Sequence, residues 1–145
     1  MTFLVDRLVE LRKYLDHLYG MRERAREVGA IEDDLSLHND VLFSLLMVAQ
    51  LVIDMAGEIG AREGIRFEDY TQAVRNLARV AEFPRELLEP LARLPGFRNV
   101  LIHEYVELDY DIARRALDEL EPVEAFAEAV RAYVIRSEAR GSNLA

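Results

Sequence analysis

Leu4, Leu8, Leu11, Leu15, Leu18 and Met21 recur at steps of three and four residues, the repeat that lines up one face of an α-helix. The pattern predicts a helix over 2–28, with Arg7, Glu10, Lys13, Asp16 and Glu23 on its other faces and Gly29 as its stop. The acidic run Glu32-Asp33-Asp34 reads as a loop. Ser36 reads as the cap of a second helix, with Asn39 and Asp40 in its first turn. That helix, over 37–62, is apolar nearly all round, from Val41, Leu42 and Phe43 through Leu45 to Val48 and Leu51 to Ile53. A helix without a polar face must be covered on most sides. It therefore belongs at the centre of a bundle, at an interface between two copies, or both. Gln50 and Asp54 are four apart on one side of it. As polar groups there they need partners, inside the bundle or on a second chain.

Gly60 and Gly64 bracket a loop into a third helix over 68–81, with Tyr70, Ala73, Val74, Leu77 and Ala78 on its apolar side. Pro84 starts a short helix over 84–93, because proline suits the first helical position. Pro95-Gly96 reads as a turn, and a helix over 97–108 follows. Asp109 or Asp111 can cap the last helical region, 110–137, which Pro122 splits or kinks. The chain has no run of period two long enough for a strand. The expectation is an all-α, single-domain helical bundle over 1–140 with a disordered tail over 141–145.

Composition narrows the function classes. A chain of 145 residues, 51% hydrophobic and 31% charged, is long enough and apolar enough to fold as one domain without a staple. Cysteine is absent, which excludes a disulfide framework, a zinc ribbon and a thiol nucleophile. With charge already alternating with apolar residues from Met1 to Glu10, no leader pattern is evident, and a cytoplasmic setting is expected. The longest apolar stretch, Val41 to Ile53, holds Ser44 and Gln50 and reads as too short to span a bilayer. A net charge of −9 argues against a protein that coats nucleic acid. The charge is uneven, though. Residues 71–103 carry five basic and three acidic side chains, and Arg75, Arg79, Arg85, Arg93 and Arg98 could make a locally basic channel.

One segment carries chemistry: Phe97-Arg98-Asn99-Val100-Leu101-Ile102-His103-Glu104-Tyr105. It supplies a permanent cation, an amide, an imidazole and a phenol. On one helix Asn99 and His103 would share a face, and so would Arg98 and Tyr105. Arg98 and His103 would lie about 140° and about 7.5 Å apart, so a long side chain or a second copy must bring them together. Metal-free RNA cleavage needs a proton acceptor that titrates near neutrality, which histidine supplies. It also needs a fixed cation on the charge that develops at phosphorus, which arginine supplies. An amide can orient the 2′-hydroxyl or the imidazole. The same residues would also suit a helix start whose Arg and His make only local hydrogen bonds.

Arg98-x4-His103-x-Tyr105, within Gly96 to Tyr105, resembles the signature of the HEPN superfamily of ribonucleases, in the branch typified by HepT toxins. The resemblance extends over the preceding apolar helix and the helices between, about Val41 to Tyr133. It implies a four- to six-helix bundle, a homodimer whose two motifs meet across a cleft, and metal-independent RNA cleavage without a cofactor. Carried over, Arg98 and His103 are the essential pair and Asn99 assists. The resemblance also implies a minimal nucleotidyltransferase antitoxin that silences the nuclease by adding AMP to Tyr105. The alternative within the same fold is a non-catalytic module that binds a nucleotide or docks a partner.

The remaining candidates are weaker. His17 reads as a surface or interface residue and His38 as a neighbour of a helix cap. His103 and Glu107 are two ligands at most, too few for a metal site. Tyr14, Tyr19, Phe126 and Tyr133 read as packing residues.

Overall fold

The leucine stripe folds as α1 (Thr2–Ala25), and Leu4, Leu11, Leu15 and Leu18 are fully buried by it. The structure, a computed structural model, describes the backbone of residues 2–144 and the side chains of 2–141. After α1 the chain turns at Gly29, whose φ of 80° lies in the left-handed region that glycine adopts without strain. The acidic run expected as a loop includes a single helical turn, α2 (Ala30–Asp33). Asp34 then caps α3 (Leu35–Arg62), accepting from the backbone N–H of Ser36 at 3.0 Å and of Leu37 at 3.3 Å. Ser36 is thus inside the helix rather than its cap. A carboxylate suits the positive end of a helix dipole better than a hydroxyl does.

The apolar helix is the axis of the bundle. α3 packs chiefly against α1 on one side and α6 on another. At 28 residues it is long and apolar enough to cross a membrane, which the shorter apolar stretch had not suggested. More than half of its most apolar window is buried inside the bundle. Leu35 at its start and Phe43 are the large exposed exceptions, and the Phe43 ring meets that of Tyr14 edge to face at 6.0 Å between centroids.

Beyond α3 the chain is built from short pieces. α4 (Tyr70–Arg75), capped by Asp69, tightens into a 3₁₀ turn over Asn76–Arg79. Pro84 precedes α5 (Arg85–Leu88), and a second 3₁₀ turn covers Pro90–Arg93. α6 (Leu94–His103) begins earlier and ends earlier than the sequence suggests. Pro95 and Gly96 lie in its first turn, where the missing proline N–H costs nothing. It stops at His103 because Glu104 leaves helical geometry, with φ −118° and ψ 25°. A 3₁₀ turn over Tyr105–Glu107 follows, then α7 (Tyr110–Asp118), capped by Asp109. The expected split near Pro122 falls at Glu119, and the proline sits in the first turn of α8 (Leu120–Leu144). Of the tail over 141–145, the backbone stays helical to Leu144, and Ala145 lies outside the described residues. Among the described residues there is no strand.

Ion pairs latch the helices from outside. Arg12 and Arg22 on α1 reach Glu124 and Glu121 on α8, Arg26 reaches Asp118, Arg114 on α7 reaches Glu32, and Arg136 on α8 reaches Glu82. These arginines hold Glu32, Glu82, Glu121 and Glu124 below the usual carboxylate range, and the Leu37 N–H does the same for Asp34. Groups whose folded pKa is depressed stabilise above the ordinary carboxylate pKa and lose that contribution as pH falls through the depressed value. Acid titration followed by helical circular dichroism is therefore expected to show Asp34→Asn, which keeps the cap oxygen but cannot titrate, losing less stability on acidification than the native protein. Parallel curves for the two would show that the carboxylate charge contributes nothing.

Candidate functional site

Arg98 lies one turn into α6, on the side that meets α3 and α4. Its Nε and Nη2 both donate to Asn99 Oδ1, at 3.3 and 2.9 Å. Its Nη1 donates to Gln50 Oε1 on α3 at 3.2 Å. Gln50 in turn donates from Nε2 to Asp54 Oδ1 at 2.7 Å. The guanidinium carbon stands 5.2 Å from the ring centroid of Tyr70, the first residue of α4. Among the described residues, every direct partner of Arg98 is thus a neutral amide or an aromatic face, and it makes no ion pair.

Two of the other four arginines of the basic segment differ. Arg75 pairs with Glu89 at 3.4 Å and Arg93 with Glu119 at 3.5 Å. Arg79 and Arg85 are exposed. The broad basic channel suggested by the sequence reduces, at the motif, to one cation that no carboxylate among the described residues contacts.

His103 ends α6 and is exposed. It borders a shallow hollow with Val100, Glu104, Val106, Glu107, Leu108, Asp109 and Ile112. Asn99 and His103 keep the shared helical face expected of them, four residues apart on α6. Arg98 and Tyr105 do not share one, because the helix ends between them. Tyr105 sits instead at the start of the 3₁₀ turn, 65% exposed. No hydrogen bond joins Arg98 to His103 among the described residues, and their five-residue spacing on α6 directs them to different sides. A more enclosed apolar hollow behind Phe97, lined by Leu45, Val48, Leu94 and Ile112, includes none of the motif's polar residues.

The remaining sequence candidates find ordinary partners. His17 faces Asp40 at 3.6 Å, and His38 packs beside the Tyr110 ring at 5.7 Å. Phe126 and Tyr133 are core residues. Among the described residues no three His, Asp or Glu side chains converge as a metal site. Gln50 and Asp54 were legible as polar groups in need of partners. That the partner is Arg98, 48 residues on, was not. Tyr70 had read only as part of an apolar face, and nothing in its local pattern marks it as the neighbour of a functional cation.

The family described as ribonuclease HepT-like matches residues 7–130. The mRNA nuclease HepT of Shewanella oneidensis (strain MR-1) is 25% identical over 122 residues, covering 83% of this chain and 87% of that protein. Among solved structures, the tri-AMPylated HEPN toxin of Shewanella oneidensis, in complex with an MNT antitoxin, superposes with a TM-score of 0.75 at 20% identity, over 91% of this chain and 98% of that one. A toxin–antitoxin structure with AMP-PNP superposes with a TM-score of 0.73 at 19% identity, over 90% of this chain and 98% of that one.

Proposed function

The chain belongs to the HepT-like ribonuclease family, and from that membership we propose that it is a metal-independent endoribonuclease toxin, restrained by a minimal nucleotidyltransferase antitoxin. The observation that carries the reading is the state of Arg98. It is held on three sides by Gln50, Asn99 and Tyr70, yet no carboxylate among the described residues neutralises it. A charge kept in place and uncompensated at a surface is suited to an incoming phosphate.

In this reading His103 takes the proton from the ribose 2′-hydroxyl as that oxygen attacks the adjacent phosphorus. Arg98 stabilises the charge that builds on the non-bridging oxygens, and a proton is returned to the departing 5′-oxygen. Asn99 Oδ1 is committed to Arg98, so its amide N–H₂ remains to orient the 2′-hydroxyl or a phosphate oxygen. Since one chain directs Arg98 and His103 to different sides of α6, the working site pairs Arg98 of one protomer with His103 of its partner in a homodimer. Purified protein is expected to cut RNA in excess EDTA. A preparation that binds RNA or a nucleotide saturably but never cuts it supports the non-catalytic alternative instead.

Tyr105 is the modification target in the same reading. Its exposure and its place just past α6 leave the phenol free to enter another enzyme's active site. An adenylate there adds a bulky, negatively charged group two residues from His103 and obstructs substrate. After co-expression with a minimal nucleotidyltransferase, the intact mass is expected to rise by one or more AMP residues, and Tyr105→Phe to abolish the gain. An identical gain in Tyr105→Phe moves the target to another residue.

A further inference from the structure

A guanidinium carries five N–H groups, one on Nε and two on each terminal nitrogen. In Arg98 three of the five are committed: Nε and one Nη2 hydrogen to Asn99, and one Nη1 hydrogen to Gln50. One N–H therefore remains on each terminal nitrogen, the number a bidentate contact with one phosphate requires.

What holds that arrangement is not on the motif helix. An arginine side chain is long and has several rotatable bonds, and Asn99, its immediate neighbour, moves with it. The fixed reference is α3, the most buried helix of the bundle. There Gln50 could present either its oxygen or its nitrogen. Asp54, one turn on, accepts from Gln50 Nε2 at 2.7 Å, and this turns Oε1 toward Arg98. The carboxylate thus acts on the guanidinium through an intervening amide. It orients the cation without touching it, and so without forming the ion pair that a phosphate would have to break.

We propose that Gln50, braced by Asp54, is a positioning residue for the nuclease reaction: it sets the Arg98 guanidinium so that its two uncommitted N–H groups engage one scissile phosphate. The inference rests on the nuclease reading above. Misplacing a reacting or stabilising group by about 1 Å costs on the order of 100-fold in rate, so the effect belongs in kcat more than in KM.

The test compares the native protein with Gln50→Met, which keeps length but not the acceptor, and with Asp54→Leu and Asp54→Asn. The substrate is a short RNA carrying a phosphorothioate at one cleavage position, with the two diastereomers separated. The native protein is expected to discriminate between the diastereomers. Gln50→Met and Asp54→Leu are expected to lose about 10- to 100-fold in kcat, with much of that discrimination, at nearly native KM. Asp54→Asn, which still offers Gln50 an oxygen, is expected to recover most of both. Equal kcat and equal stereochemical preference in native and Gln50→Met protein overturn the proposal. So does a loss that only follows a fall in melting temperature, with discrimination intact.

A second readout needs no cleavage. In ¹⁵N-labelled protein the Arg98 terminal nitrogens are expected to give distinct, slowly averaging signals that merge in Gln50→Met. If the native protein cuts no RNA while those signals still depend on Gln50, the nuclease reading fails, and with it the role in cleavage, while the orientation of the guanidinium by Gln50 stands alone. If RNA is cut and the signals ignore Gln50, the positioning role fails alone.

Discussion

Replacing His103 with alanine is expected to lower RNA cleavage by about 10²–10⁴-fold, the usual contribution of a positioned proton-transfer group. Arg98→Ala is expected to be at least as damaging, since charge stabilisation at phosphorus is commonly the larger contribution. The two inactive proteins also test how the site is shared. In a dimer with one Arg98→Ala chain and one His103→Ala chain, a site built from both protomers exists intact once and doubly damaged once. If an equal mixture re-equilibrates at random, about half of the dimers are mixed and half of their sites are whole, so about a quarter of native activity should return. A site built within one chain gives no recovery, because every chain in the mixture lacks one of the two groups. Exposure of His103 and the absence of any Arg98–His103 hydrogen bond among the described residues favour recovery. Mixtures that stay inactive although sedimentation shows exchanged dimers refute the shared site.

Phe83→Ala is expected to cost about 3–5 kcal/mol of folding stability, the range for deleting a fully buried aromatic side chain. Phe83 has no solvent exposure, and its ring lies 5.7 Å from that of Phe126 and 6.4 Å from that of Tyr133. Both neighbours sit on α8, so this cluster ties the irregular stretch between α4 and α5 to the long last helix. Glu82, beside Phe83, is latched to Arg136 on α8 as well. Urea titration measures the loss. A cost below about 1 kcal/mol would mean that the cavity collapses or that the stretch is held by the ion pair instead.

The long helices were legible because their signal is periodic. The leucines of α1 and the apolar run of α3 repeat over many turns, and the structure differs from the expected boundaries by a few residues. The short pieces were less so. Ser36 and Asp34 are both good caps by type, and only the accepted N–H bonds choose between them. Pro95-Gly96 carries the composition of a turn, yet proline is equally at home in the first turn of a helix, and α6 uses it there. The end of α6 at Glu104 has no marker such as glycine or proline, so Tyr105 could not be placed off the helix from sequence. At the site, Arg98, Asn99 and His103 were named by their spacing and the resemblance it carries. Gln50 and Tyr70 reach Arg98 from distant segments, and contacts of that kind arise from packing rather than from local pattern.

The central helix has a consequence during synthesis. α3 leaves the ribosome after α1, which can shield one of its sides at once, but α6, α7 and α8 do not yet exist to shield the others. A nascent chain stopped near α4 therefore displays a greasy rod long enough to pass for a membrane anchor. Nonsense mutations between α4 and α6 should yield insoluble, chaperone-bound fragments rather than quiet partial domains. Until α6 packs against α3, the side of the rod that carries Gln50 and Asp54 stays open to other chains as well.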